Sequence, residues 1–458
     1  MIYGLAPQIS KIASLFALPV ITKDLTELDY GIWGTILAYT GAIQAFASLG
    51  LNVVMSNSFF KMPFQYKWMW RQLYGFLQLW SPLYSLIVCL VVYFAIPEGE
   101  SENLLLLMLL IAGPNLLFGP ASSIGTYYFQ FNQRPFPIAA RVGLFGMLTV
   151  ALNVYTISFL KMGYLGWAYS FFIVSMLQNL SYFYLLNFRL HYSPIFNFKW
   201  RTIQSALKIG WPTIPHTYAA YLLNSSDRVV MDQLNVSTQH IGRYNLASTF
   251  GSYFANMAGA VNQAITPILL SCYKQNEFVK ARNLIFVIQG YFILVTFTYS
   301  IWAREIFYLL INNTGLREVY PLSIIIVMSY NYRPMYNGAV GPLFYIEKTH
   351  LIWRITFTAG IVNVLVNVLF IPIYGYQVAA YSTFVCLLIM GFSGFYMPGV
   401  QGTQKANFYP FFWLGLILLM TAVASFMVYL GIFVKIMVTI GIVVSGAFLT
   451  RAARVTLT

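Results

Sequence analysis

Arg333 stands inside a long apolar run, in SYNYRPMYNG (329–338), with Asn331, Tyr336 and Asn337 around it and Pro334 directly after it. A guanidinium in hydrocarbon is costly and marks a functional position by default. Its chemistry would be recognition of a phosphate or another oxyanion. Thirteen residues from the end of its run, at 1.5 Å each, put Arg333 about 20 Å deep, near the middle of a bilayer. Lys11 is a second cation inside an apolar run, with snorkelling to the nearer interface as its alternative. His216 is a lone histidine on an apolar helix, the kind that packing partners usually satisfy. A polar stripe adds neutral groups. Thr40, Gln44, Ser48 and Asn52 follow one another at four-residue spacing, and Ser252, Asn256 and then Gln263 repeat the pattern. Side chains spaced i, i+4 share one helix face, so the stripe should face protein or water, lining a cavity or tying helices together. Asn363 and Asn367 form a further i, i+4 pair, for which a tie between helices is the simpler reading.

Asp227 and Arg228 lie side by side near the end of another apolar run. Counted from Lys208, Asp227 is nineteen residues along, about 28 Å, which is the far edge of a membrane. The pair is therefore expected at an outer gate, with Asp227 bonded to a basic residue across it or simply solvated. The twelve acidic residues all fall in loops or near the ends of apolar runs. No carboxylate is expected where a proton or sodium site in mid-membrane would need one. A cavity in this chain should be neutral to cationic and suited to an anionic group.

The elements that must position these residues follow from composition. The chain has 458 residues, 59% hydrophobic and 8% charged. Apolar runs long enough to cross about 30 Å of hydrocarbon recur throughout. Fourteen segments are expected, at about 5–22, 32–55, 73–96, 104–129, 138–160, 165–187, 208–231, 243–270, 284–304, 320–344, 351–371, 375–396, 409–430 and 433–450. The fold class is thus an all-α polytopic membrane protein. MIYGLAPQISK reads as the start of a retained first helix rather than a cleaved signal peptide. Counting Lys and Arg by side gives seventeen against six, with three inside spans, which puts both termini in the cytoplasm. The net charge of +14 is then a topology signal, helped by anionic headgroups. Nucleic-acid binding would need a soluble basic face, and the loops are too short to make one. Cys89, Cys272 and Cys386 are scattered among apolar segments and read as packed hydrophobes. No spacing suggests a metal site or a cofactor, and no His/carboxylate or Ser/His set suggests an enzyme.

The chain also repeats itself. GYLGWAYSFFIVSMLQNLSYFY from Gly163 and GYQVAAYSTFVCLLIMGFSGFY from Gly375 share nine of twenty-two positions at an offset of 212. DYGIW (29–33) matches HIGRY (240–244) at an offset of 211. The expected organisation is a six-helix lobe over 1–190, a linker over 191–207 lying along the interface, a second six-helix lobe over 208–398, and two further helices over 399–458. Each repeat holds an even number of spans, so the lobes are related by a pseudo-twofold axis along the membrane normal. Such halves commonly rock around a shared cavity.

Several stretches together, LTELDYGIWGTILAYTGAIQAFASLGL, LKIGWPTIPHTYAAYLLNSSDRVVM, IGRYNLA and VNVLVNVLFIPIYGYQVAAYST, resemble the polysaccharide flippases of the Wzx type, within the multidrug, oligosaccharidyl-lipid and polysaccharide exporters. The resemblance covers roughly residues 1–400. It implies two lobes around a cationic lumen in a bacterial cytoplasmic membrane. It implies, as substrate, an oligosaccharide repeat unit on undecaprenyl pyrophosphate, turned from the cytoplasmic to the periplasmic leaflet. Membrane lipids and other polysaccharide-assembly membrane proteins are the partners it implies. Two alternatives stand beside it. An ion-coupled drug or metabolite antiporter of the same fold would resemble its kind in using an embedded carboxylate in the first lobe, where span 1 offers only Lys11. A membrane-embedded glycan polymerase or ligase would need a large periplasmic loop, and the longest outer loop is about a dozen residues.

Overall fold

Hydrocarbon offers a backbone no hydrogen-bond partner except itself, so apolar segments fold as helices. Each of the fourteen apolar segments is helical in the structure, a computed structural model that describes residues 2–346, 350–397 and 405–457, and no strand occurs among these residues. Among these residues eight helical stretches, Glu27–Lys61 with its internal 3-10 turn included, are long and apolar enough to cross a membrane. A ninth span is a pair, Gly99–Leu116 and Phe118–Phe131, bent by 47°. Pro114 and Pro120 flank that bend, each removing a backbone hydrogen bond. Two shorter apolar helices, Ser10–Ile21 and Ile432–Phe448, stand near the two ends of the chain.

The chain divides into two compact units, Met1–Tyr221 and Leu222–Thr458. The first contains α1 (Ile2–Ile21), α2 (Glu27–Ile43), α3 (Leu51–Lys61), α4 (Tyr66–Ala95), α5 (Leu104–Phe131), α6 (Pro135–Asn153), α7 (Tyr164–Tyr184) and α8 (Trp200–Gly210), with α9 (Ile214–Asn224) crossing the boundary. Two apolar clusters hold it. One joins Trp70, Leu73, Tyr182 and Leu186 to Ile203 and Ala206 of α8. The other joins Ile32 and Ile36 to Val88, Val92 and Leu107.

Three expected spans are broken, one of them, 320–344, at Tyr330–Asn331. The segment 32–55 is interrupted by a 3-10 turn, Gln44–Ala47, and then by Leu49 and Gly50 at positive φ, 50° and 71°. The four-residue register of its polar stripe is lost there, because a 3-10 turn advances three residues per turn. The segment 208–231 is interrupted twice. Residues 200–210 form the separate helix α8, a turn at Trp211–Thr213 follows with Pro212 near its start, and α10 (Ser226–Gln233) begins after Ser225. The expected interface linker 191–207 enters α8 at Trp200, and α8 buries Ile203, Ala206 and Gly210.

The ends of the first unit differ in charge. At one end Lys161 pairs with Asp24, Asp29 accepts from the Tyr164 backbone N–H at 2.8 Å, and Glu100 accepts from the Tyr164 hydroxyl at 2.7 Å. At the other, Arg71 donates to the Ser193 carbonyl at 2.8 Å, Gln72 accepts from the Lys199 backbone N–H at 2.9 Å, and Lys67 lies over the Tyr192 ring.

The second unit contains α10, α11 (Thr238–Lys274), α12 (Phe278–Leu310), the short α13 (Thr314–Arg317), α14 (Tyr320–Ser329), α15 (Tyr332–Tyr345), α16 (His350–Tyr374), α17 (Val378–Ser393), α18 (Pro410–Met427) and α19 (Ile432–Leu457). The last helix docks on it through polar clamps to α12. Trp302 donates to Thr439 at 2.9 Å and Tyr291 to the Gly446 carbonyl at 3.0 Å. The fully buried Lys435 donates to Glu305 at 2.6 Å and to the Val428 carbonyl at 2.7 Å.

The matched sequences fold alike. Thr26 caps α2 by accepting from Asp29 N–H, and Ser237 caps α11 by accepting from His240 N–H. Gly163 and Gly375 both sit at positive φ, 56° and 83°. Asp29 binds Tyr164, and at the matching junction His240 stacks on Tyr376 with ring centroids 4.6 Å apart.

Gly50 is the tightest of these turns. A Cβ there would lie 2.1 Å from the Gly210 carbonyl oxygen, in addition to the strain of a positive φ. Gly50→Ala is expected to cost about 1–3 kcal/mol from backbone strain alone. Thermal unfolding in detergent should show a clear loss against Gly143→Ala, whose Cβ would meet nothing within 4 Å.

Candidate functional site

A buried polar network occupies the second unit, centred on Asp227, which is 1% exposed. One carboxylate oxygen accepts from Asn367 Nδ2 at 2.8 Å. The other accepts from Thr383 Oγ1 at 3.0 Å and from the Tyr244 hydroxyl. Asn367 also donates to Asn363 at 2.7 Å, Asn363 donates to Thr383 at 3.2 Å, and Ser382 donates to Asn367. The donors come from α11, α16 and α17, and every one is neutral. Arg228 turns elsewhere: it donates to Asn245 at 2.8 Å and lies over the Tyr244 ring, and it makes no ion pair with Asp227.

This corrects the expectation of an exposed outer-gate pair. The Asp227 carboxylate is enclosed by side chains of α11, α16 and α17, which no count along its own segment can show. The network also places one carboxylate in the protein interior, although the sequence offered acids only in loops and near the ends of apolar runs. A shielded carboxylate ringed by oxygen-bearing side chains can take up a proton or hold one small hard cation. Sequence spacing had exposed part of this: Asn363 and Asn367 are visible as an i, i+4 pair, but they serve Asp227, 140 residues away from Asn367, rather than only tying helices.

Arg333 occupies a second setting in the same unit. The helix expected over 320–344 breaks at Tyr330–Asn331, between α14 and α15, and Pro334 falls in the first turn of α15, where it removes no intrahelical bond. Arg333 is half-buried, donates to the Tyr332 hydroxyl at 3.0 Å, and lies 5.9 and 5.8 Å from the rings of Tyr332 and Tyr336. Its Nε is buried and makes no hydrogen bond, and no carboxylate pairs with it among the described residues. The guanidinium is thus held by aromatic faces with its charge unanswered.

Other expected site residues divide by exposure. Asn331 is fully buried and donates to Thr296 at 2.9 Å, so it ties α12 to the α14–α15 break instead of lining an open surface. Asn337 is 8% exposed and likewise belongs to the core. Lys11 is exposed on α1. His216 lies on α9, and its side chain is outside the described set. Gln44, Asn256 and Gln263 are exposed, while Thr40, Ser48, Asn52 and Ser252 are half-buried. The hydrogen bonds of the stripe stay local: Thr40 to Ile36, Asn52 to Ser48, Ser252 to Thr249 and Asn256 to Ser252. Ser48 and Asn52 face a cavity of about 50 Å³ that they share with Ser81, Tyr84 and Asn115. The stripe is continuous on α11 but broken on α2–α3.

The fold resembles those of known lipid flippases and exporters. The solved structure "Lipid II flippase MurJ, inward closed conformation" matches at a TM-score of 0.70 and 12% identity, over 93% of this chain and 97% of that one. "Crystal structure of MATE in complex with MaL6" matches at 0.60 and 12%, over 89% and 95%. An inward-facing multidrug resistance MATE family transporter of the MOP superfamily matches at 0.59 and 13%, over 88% and 96%. No curated protein matches the chain significantly in sequence. The family model described as polysaccharide biosynthesis protein matches residues 1–272, and the chain belongs to that family. It is a multi-pass membrane protein of the flippase and exporter fold.

Two measurements probe the site. Asp227→Ala leaves three buried donors without an acceptor, at roughly 1–3 kcal/mol each. Its thermal stability in detergent is expected to fall well below that of Tyr244→Phe, which removes a single donor. Single cysteines at Gln44, Asn256 and Gln263 are expected to react with water-soluble thiol reagents in native membranes, and a cysteine at the buried Ile36 is not. Cys272 and Cys386 are buried, which keeps the background low.

Proposed function

We propose that this protein turns a lipid-linked oligosaccharide, an undecaprenyl-pyrophosphate-linked repeat unit, from the cytoplasmic to the periplasmic leaflet of a bacterial inner membrane. The observation that carries this reading is Arg333, an uncompensated guanidinium within an apolar segment of a chain that belongs to a polysaccharide biosynthesis family. A pyrophosphate supplies the charge that Arg333 lacks. Tyr332 and Tyr336 hold its plane while leaving Nε free to donate. Lys11 and Gln44 of the first unit and Asn256 and Gln263 of the second offer exposed cationic and amide groups that suit phosphate and sugar hydroxyls. Transport runs by alternating access, with the amino and carboxyl termini cytoplasmic. The charge difference between the ends of the first unit supports that orientation, since basic residues accumulate on the cytoplasmic side.

A second reading has one observation in its favour. Asp227 is a shielded carboxylate, as ion-coupled antiport requires, and the fold is shared with multidrug transporters. In the flippase reading the same group admits a proton or a cation that couples the cycle.

The test is complementation of a flippase-null strain for surface polysaccharide, with membrane protein levels matched. Arg333→Ala is expected to lower polysaccharide output about ten- to a hundredfold, the worth of a charge-assisted hydrogen bond. Arg333→Lys should recover part of it, because an ammonium binds phosphate as a point charge. Full output from Arg333→Ala refutes the assignment. Asp227→Asn separates the readings: antiport alone predicts loss of cation-driven drug efflux with polysaccharide output untouched.

A further inference from the structure

A cavity of about 730 Å³ in the first unit lies apart from the residues discussed so far, within the ~300–1,000 Å³ typical of ligand pockets. Phe76, Trp80, Trp200 and Trp211 supply its walls, and Gln204 and Lys208 its polar edge. The walls are fixed. Trp80 donates its indole N–H to the Phe46 carbonyl at 2.9 Å, which fixes the ring. Phe46 packs on Trp211 at 6.1 Å, and Phe76 meets Trp200 at 6.3 Å. Helix α8 carries three of these groups and is set in place at both ends. The segment before it is pinned to α4 through Arg71 and Gln72, and Gly210 at its end touches Gly50.

The polar edge is a one-turn pair. Gln204 and Lys208 are four residues apart on α8, both are exposed, and neither side chain has a hydrogen-bond or ion-pair partner among the described residues. Lys199 and Arg201 flank them on the same helix. No acid answers them: the sequence has no Asp or Glu from 30 to 97 or from 103 to 226. The acids of the first unit lie in the segments 24–29 and 98–102, where Asp24, Asp29 and Glu100 gather around Lys161 and Tyr164. A rigid aromatic cavity, opening beside an unanswered lysine and amide on an amphipathic helix, is amphiphilic and selects an amphiphile with a negative head.

We infer that this cavity binds an anionic glycerophospholipid, with the phosphodiester on Lys208 and Gln204 and one acyl chain among the tryptophan and phenylalanine rings. One lysine and one amide match a single phosphodiester charge. A zwitterionic head would bring an ammonium into a region without carboxylates. The site is separate from Arg333 and does not depend on the transport reading.

The experiment uses the full-length protein in phosphatidylcholine vesicles carrying either dibrominated phosphatidylglycerol or dibrominated phosphatidylcholine at equal mole fraction, read by quenching of tryptophan emission. Tryptophans elsewhere at the bilayer surface respond alike to both lipids. Excess quenching by the anionic lipid is expected, falling about fivefold in Lys208→Gln. It is expected to be retained in Lys208→Arg and to fall in Trp200→Phe/Trp211→Phe, where Trp80 is left as the one tryptophan of the cavity wall. Unlabelled phosphatidylglycerol should compete it away. Equal quenching by the two lipids overturns the assignment, as does an excess that survives Lys208→Gln. Displacement of the excess by undecaprenyl pyrophosphate but not by phosphatidylglycerol also overturns it.

Discussion

A carboxylate shut away from water must be answered by donors, and at Asp227 every answer comes from a neutral group on another helix. That requirement organises the second unit. It draws α10 against α16, brings Tyr244 of α11 to the same point, and sets Asn363, Asn367, Ser382 and Thr383 facing one another. An arginine partner would have locked the charge permanently. Neutral donors leave it available, because hydroxyl and amide groups adapt to a protonated acid or to a bound cation by rotating or by offering oxygen in place of hydrogen. Arg228, adjacent in sequence, is kept off by its bond to Asn245 and its place over Tyr244.

Arg333 presents the opposite case. Its charge is not consumed by any carboxylate, and its aromatic neighbours stabilise a cation without neutralising it. The two groups give the second unit one shielded anion and one open cation, each held by residues that cost little when the charge changes its partner. The first unit carries no deep charge of this kind on its broken second span, where exposed and half-buried polar groups serve instead.

The sequence made the helices legible because hydrophobic runs of membrane length are dense and unambiguous. It made the duplicated junctions legible too, since caps and positive-φ glycines are local: Thr26 and Ser237, Gly163 and Gly375 each need only their neighbours. Breaks were harder. Nothing in a hydropathy profile separates α8 from α9, because Trp211, Pro212 and Ile214 keep the run apolar while the winding tightens to a 3-10 turn. The network was illegible for another reason, as Thr383 lies 156 residues from Asp227 and only tertiary packing joins them. Asn331 misled through composition alone: an amide beside Arg333 looks like lining, and its bond to Thr296 appears only when α12 is in place.

The duplication has one further consequence. At an offset of 212, Asp227 falls on Leu15, Asn363 and Asn367 on Ala151 and Tyr155, and Ser382 and Thr383 on Ser170 and Phe171. Only Ser170, which approaches Thr156 at 3.3 Å, keeps the residue found in the network, and no carboxylate or amide remains in the set. Two identical half-length subunits would carry such a network twice or not at all, because symmetry copies every substitution. Joining the halves in one gene product removes that restriction. One half can keep an ionisable centre while the other gives it up, and the chain becomes a heterodimer in all but covalent connection.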